Sequence, residues 1–71
     1  MVDTGICARV GATIRGIRMK KGWSQQILAD HAQIERSHLA RLELGEREAG
    51  LLILEKIALA LEVRVADLVR E

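Results

Sequence analysis

The strongest constraint on this chain is a pair of short helical patterns, residues 25–32 and 36–44, separated by only three residues. Ser24 precedes the first and suits an N-cap, because its hydroxyl accepts a hydrogen bond from a backbone N–H that the first helical turn leaves free. Gln25-Gln26-Ile27-Leu28-Ala29-Asp30-His31-Ala32 then runs for two turns before Gln33-Ile34-Glu35 breaks it. Arg36 to Leu44 resumes a helical spacing, and Gly45 stops it. A break this short joins the two helices across a tight corner, the local signature of a helix-turn-helix over about 24–44.

The flanks extend the same architecture. Val10, Ile14 and Ile17 recur at i, i+4, i+7, which marks one apolar stripe of a first helix over about 6–21. Arg9, Arg15, Lys20 and Lys21 lie mostly off that stripe, and Gly22 is a stop just beyond it. After a polar loop at 45–50, Leu51 to Leu61 reads as a strongly apolar helix. Glu62-Val63-Arg64 connects it to a last helical turn or two at Val65–Val69. The chain has no Phe, Tyr or Pro, and Trp23 is its one aromatic residue. Such an aliphatic composition suits helices packed on helices, so the expectation is a single all-α domain of five helices over 1–71. At 71 residues the core is small, and stability calls for dense packing or a partner.

Charge and cysteine usage narrow the class further. Residues 1–47 carry a net +3 and residues 48–71 a net −2, a mild asymmetry that an ordinary mixed surface also produces. Cys7 is the one cysteine, which rules out an intramolecular disulfide and suits a small, buried or half-buried apolar position. No apolar run is long enough for a membrane span, and the N-terminus lacks a signal-peptide layout, so a cytoplasmic location is expected. His31 and His38 lack a third ligand at metal-binding spacing, so no metal and no cofactor are expected. No nucleophile–base set and no phosphate-cradling glycine loop is present, which argues against an enzyme and against a small-molecule ligand.

The third helix carries the functional signal. At about 100° per residue, Leu39 and Leu42 fall on one side and face inward. Arg36, Ser37, Ala40 and Arg41 then point outward. Arginine pairs with the O6 and N7 of guanine, serine donates or accepts, and alanine leaves room for the groove wall or a thymine methyl. Taken alone, this face also fits a simple solvated helix surface.

The order and spacing of these segments resemble the lambda-repressor-like family, also called Xre or Cro. The likeness runs through V-G-A-T-I-R-G-I-R-M-K-K-G-W-S-Q-Q-I-L-A-D-H-A-Q-I-E-R-S-H-L-A-R-L-E-L-G-E-R and L-L-I-L-E-K-I-A-L-A-L-E-V-R-V-A-D-L. Within that family, the short chain and the Gly-Glu-Arg…Leu-Glu-Lys-Ile segment look most like restriction–modification controller proteins. The resemblance implies a recognition helix in the major groove of double-stranded DNA and a twofold dimer on a palindromic operator. It places Arg36, Ser37 and Arg41 at base edges. It places Ser24, Gln25, His38 and Arg47 at phosphates, where a helix N-terminus favours an anion. It also pairs Arg18 with Glu43 as a structural tie between the first and third helices. Four departures stand out: Gln33 replaces the turn glycine, Ile27 removes the capping-box acid, Leu44 stands where a polar residue is common, and Ala49-Gly50 replaces a proline-containing loop. A left-handed Gln33 costs roughly 1–2 kcal/mol.

Leu54, Ile57, Ala58 and Leu61 form one stripe of the fourth helix and suffice for a small core. Leu52, Ile53 and Leu59 lie on another face, with Val65 and Val69 in position to extend it. An uncovered apolar face of this kind marks an interface, so a homodimer through the region 50–70 is expected. The functional expectation is a sequence-specific transcriptional regulator. The alternatives are a phage-type repressor or an antitoxin-like protein-interaction module of the same fold, which would present an apolar rather than a basic third-helix face.

Overall fold

The computed structural model describes residues 5–70. They form five helices and no strand: α1 (Ile6–Lys20), α2 (Gln25–Ala32), α3 (Arg36–Glu43), α4 (Leu51–Leu61) and α5 (Val65–Val69). α1 and α3 each end one residue earlier than their sequence patterns suggest, at Lys20 and Glu43. α1 packs on α3 and α5, α2 packs on α3 and α4, and α5 closes against α4. Ile14, Leu28, Leu39, Ile57, Leu61 and Leu68 are fully buried where these helices meet.

The buried face of α1 is turned slightly from the stripe read in the sequence. Val10, Gly11, Ile14 and Arg18 are buried, while Ile17 packs at the edge of the core. In α3 the inward pair is Leu39 and Leu42, and in α4 the inward stripe is Leu54, Ile57, Ala58 and Leu61. Cys7 is half-buried, and Trp23 packs against the rim of the core.

The first four helices end in the same hydrogen-bonded turn. In each, the residue after the last turn is left-handed and the next N–H reaches back to the carbonyl five residues earlier. Trp23 N–H bonds Arg18 O at 3.2 Å, Ile34 N–H bonds Ala29 O at 3.0 Å, Glu46 N–H bonds Arg41 O at 3.0 Å, and Val63 N–H bonds Ala58 O at 2.9 Å. Glycine supplies the left-handed position after α1 and α3, at Gly22 and Gly45. After α2 and α4 it falls to Gln33 (φ 59°) and Glu62 (φ 64°). Ile34 and Val63 follow these two residues and pack against the core, which fixes both turns despite their strained backbone.

Candidate nucleic-acid interface

The support for the third helix begins with a glycine. A Cβ at Gly11 would collide with the carbonyl oxygens of Leu42 and Glu43, so only glycine lets α1 lie this close to the end of α3. Two turns further along the same face, Arg18 meets Glu43. The guanidinium Nε donates to Oε2 at 2.8 Å and Nη2 donates to Oε1 at 2.9 Å, a two-pronged pair. Both residues are only 8% exposed. Arg18 also donates from Nη1 to the carbonyl of Trp23 at 2.8 Å, which ties in the turn between α1 and α2. Gln25 completes the cluster by donating from Nε2 to Glu43 Oε1 at 3.1 Å. The hydrogen bond to Glu43 raises the pKa of Arg18 above its ordinary value, against the opposing effect of burial. A charge withdrawn from water this far is tolerable only because every donor and acceptor around it is matched.

On this base α3 turns Arg36, Ser37 and Arg41 to solvent, with Ala40 half-buried beside them. Ser37 and Arg41 share a polar hollow of about 240 Å³ with Glu35, His38 and Arg47. Four of the residues assigned to DNA contact from sequence therefore come together, and Arg36 stands outside the hollow. Glu35, the N-cap residue of α3, makes no side-chain cap bond and adds a carboxylate that the sequence reading did not single out. Its position just ahead of an exposed basic helix was the available signal.

Ser24 and Gln25 sit at the start of α2, outside that hollow. Ser24 Oγ accepts from the Ile27 N–H at 3.1 Å, so its hydroxyl caps the helix. Gln25 lines a second groove, between α1 and α3, together with Ala12, Arg15, Met19, Ala40 and Leu44.

Two tethers escaped the sequence reading. Arg9 donates from Nη1 to the Val69 carbonyl at 2.9 Å, which fastens the start of α1 to the end of α5. The Trp23 and His31 rings stack at 4.5 Å between centroids and 9° between planes, with Lys21 Nζ 4.9 Å from the Trp23 ring. Neither pairing shows in spacing, because the partners come from different elements. Among the described residues no cluster of His, Cys, Asp or Glu has a metal-binding arrangement, and no helix is long and apolar enough to cross a membrane.

The residues assigned to an apolar interface separate into two sets. Ile53, Val65 and Val69 are half-buried and pack against their own core. Leu52 and Leu59 are 64% and 72% exposed, and Leu51, beside them, is 81% exposed. The exposed apolar face of α4 is thus made by Leu51, Leu52 and Leu59, with the half-buried Ile53 at its edge.

Comparison with known proteins agrees with this architecture. The pattern of the Helix-turn-helix family (HTH_3) matches residues 14–68, and the chain belongs to that family, one of DNA-binding transcriptional regulators. The chain is 34% identical over 59 residues to the competence pilus inhibition repressor of Acinetobacter baylyi, a match covering 83% of this chain. It spans about half, 54%, of that relative's length. Among solved structures it is similar to the restriction-modification controller protein C.AhdI of Aeromonas hydrophila, with a TM-score of 0.85 and 32% identity over 87% of this chain and 94% of the other. It is also similar to SinR of Bacillus subtilis, the master regulator for biofilm formation, in a structure with DNA. That match has a TM-score of 0.83 and 31% identity over 86% of this chain and 98% of the other.

Proposed function

We propose that this member of the helix-turn-helix family regulates transcription by binding a palindromic DNA operator as a homodimer, in the manner of a restriction–modification controller. One observation carries the reading: an exposed, basic α3 face held rigidly by the buried Arg18–Glu43 pair. In this reading α3 enters the major groove, Arg36 and Arg41 read guanine edges, and Ser37 adds an adaptable donor and acceptor. His38 and Arg47 approach phosphates from the hollow beside the helix. The N-terminus of α2, with Ser24 and Gln25, receives another phosphate on its free N–H groups. The Gln25 amide leaves Glu43 or shares its second N–H when it does so, because that side chain carries two donors.

The uncovered Leu51, Leu52 and Leu59 supply the dimer contact, with Ile53, Val65 and Val69 stiffening the surface from beneath. A twofold pair sets its two α3 helices about 34 Å apart, one turn of DNA. Sedimentation of the wild type and of a Leu52→Glu/Leu59→Glu variant tests the assembly. A dimeric wild type and a folded, monomeric variant with weakened operator binding is the expected result. A wild type monomeric at tens of micromolar, protecting a single half-site, contradicts it.

Alanine at Arg36 or Arg41 is expected to weaken operator binding by about 1–3 kcal/mol and to relax the preference at one base pair per half-site. Alanine at Arg47 weakens binding to all sequences alike, with a shallower salt dependence.

A further inference from the structure

We propose that the α3 face carries a second, apolar reading element: Leu44, with Ala40 and Met19 beside it, packs on the C5-methyl group of an operator thymine. The proposal rests on α3 being the groove-entering helix.

Outside α4, the two most exposed large apolar residues are Leu44, at 70%, and Met19, at 56%. They are not scattered. Both line one groove of about 660 Å³ between α1 and α3, with Ala12 and Ala40 as its walls and Gln25 and Arg15 also on its lining. Leu44 follows the last turn of α3 as its C-cap, and helical spacing puts it in the angular middle of the outward face. At about 100° per residue it lies about 40° from Ala40 and about 20° from Ser37, inside the arc bounded by Arg36 and Arg41. A leucine this exposed contributes little to the core, so its presence on a face otherwise suited to polar partners calls for an apolar partner.

DNA offers one such partner in the major groove. Thymine carries a methyl group there, and no other base edge is apolar. The groove also shares Gln25 with the α2 N-terminus, where the proposed function places a phosphate. A strand held at that phosphate runs past Ala40 and Leu44, which lets one half-site satisfy the polar and the apolar contact together. Arg15 on the lining adds a cation for the adjoining backbone.

The test uses the operator selected from a random DNA pool. Thymidines are replaced one at a time by deoxyuridine, which removes only the methyl group. Wild-type affinity is expected to fall about fourfold at one thymine per half-site, the value of one buried methyl-sized group. Leu44→Gln is expected to melt like the wild type and to bind the thymine and uracil operators equally. Met19→Gln is expected to reduce the methyl dependence in part. A selected half-site lacking thymine, or a wild type indifferent to every uracil replacement, overturns the proposal and leaves DNA reading intact. A Leu44→Gln variant that keeps the full methyl dependence also overturns it. A wild type that selects no sequence overturns the proposal and the DNA reading together.

Discussion

Helices α3 and α4 each turn one face to solvent, and the two faces differ in both chemistry and support. α3 shows arginines and a serine, and its inner end is held by directional bonds from Arg18 to Glu43 and by a glycine contact with α1. α4 shows leucines and is held mainly by the aliphatic packing of Leu54, Ile57, Ala58 and Leu61. A face that must present arginines to a fixed lattice of bases needs its helix placed to within a fraction of an ångström, and hydrogen-bonded ion pairs impose such geometry. A face that meets another apolar surface gains from area, which tolerates small displacements. If α3 reads bases and α4 meets a second copy, as proposed, support follows the precision each face requires.

Removing one side of the buried pair should produce the largest effect and would break the contrast if it did not. Glu43→Leu leaves the Arg18 guanidinium buried without its carboxylate and is expected to cost about 3–5 kcal/mol in urea unfolding. The Arg18→Met/Glu43→Leu double variant should recover most of that loss, because an apolar pair of similar volume removes the stranded charge. Recovered stability with weakened operator binding would sharpen the contrast, since it separates rigidity of the reading face from stability of the fold. Additive losses below about 1 kcal/mol would mean that the pair does not couple the two helices.

Gly11→Ala follows in size. The added methyl meets the end of α3 and is expected to destabilise by about 1–3 kcal/mol, with a larger loss in operator binding than in melting if α3 is displaced. An alanine that melts like the wild type would show that the helices part freely.

Gln33→Gly is expected to move stability the other way, by about 1 kcal/mol, because it relieves a left-handed backbone at the turn between α2 and α3. Glu62→Gly relieves the matching position after α4 but also removes an exposed ion pair to Lys21, at 3.4 Å. Its gain should be no larger, because exposed pairs of this kind contribute little. Thermal melts of the two variants compare the turns directly.

The smallest effect concerns α5. The Arg64 backbone N–H donates to Asp67 Oδ2 at 3.0 Å, and this bond, followed by the Arg64 and Arg70 side chains, holds the Asp67 carboxyl below its ordinary range. The folded carboxyl therefore stays ionised at a pH where the unfolded one begins to take a proton. Its stabilisation is full above about 3.9, the unfolded value, and is lost as pH falls through the lower folded value. The protection of the α5 amides, their exchange rate relative to the unfolded chain at the same pH, should fall over that acid window in the wild type and stay constant across it in Asp67→Ala.

The sequence made the helical elements legible because their signals are local. Apolar spacing, Ser24 and the glycines at 22 and 45 set boundaries that the structure shifts by a single residue at α1 and α3. The core stripes of α3 and α4 were readable for the same reason. The Gly11 contact was half-visible: a glycine among Val10, Ile14 and Arg18 on a buried helix face signals a close approach, but not what approaches. The Trp23–His31 stack and the Arg9 tether to α5 depend on where separate elements meet, which spacing does not encode. Helical period placed Leu52 and Leu59 on an exposed face of α4, but it did not show that Ile53, and Val65 and Val69 of α5, are half-buried against the core, because that depends on how α4 and α5 pack.

Selection of bound sequences from a random double-stranded DNA pool, with wild type and with Arg36→Ala/Arg41→Ala, tests the central claim most directly. The account predicts that the wild type enriches two inverted half-sites with centres about 10 base pairs apart, and that the double variant loses the guanine preferences within each half-site. No enrichment by the wild type, or the same enriched sequence from both proteins, would contradict it.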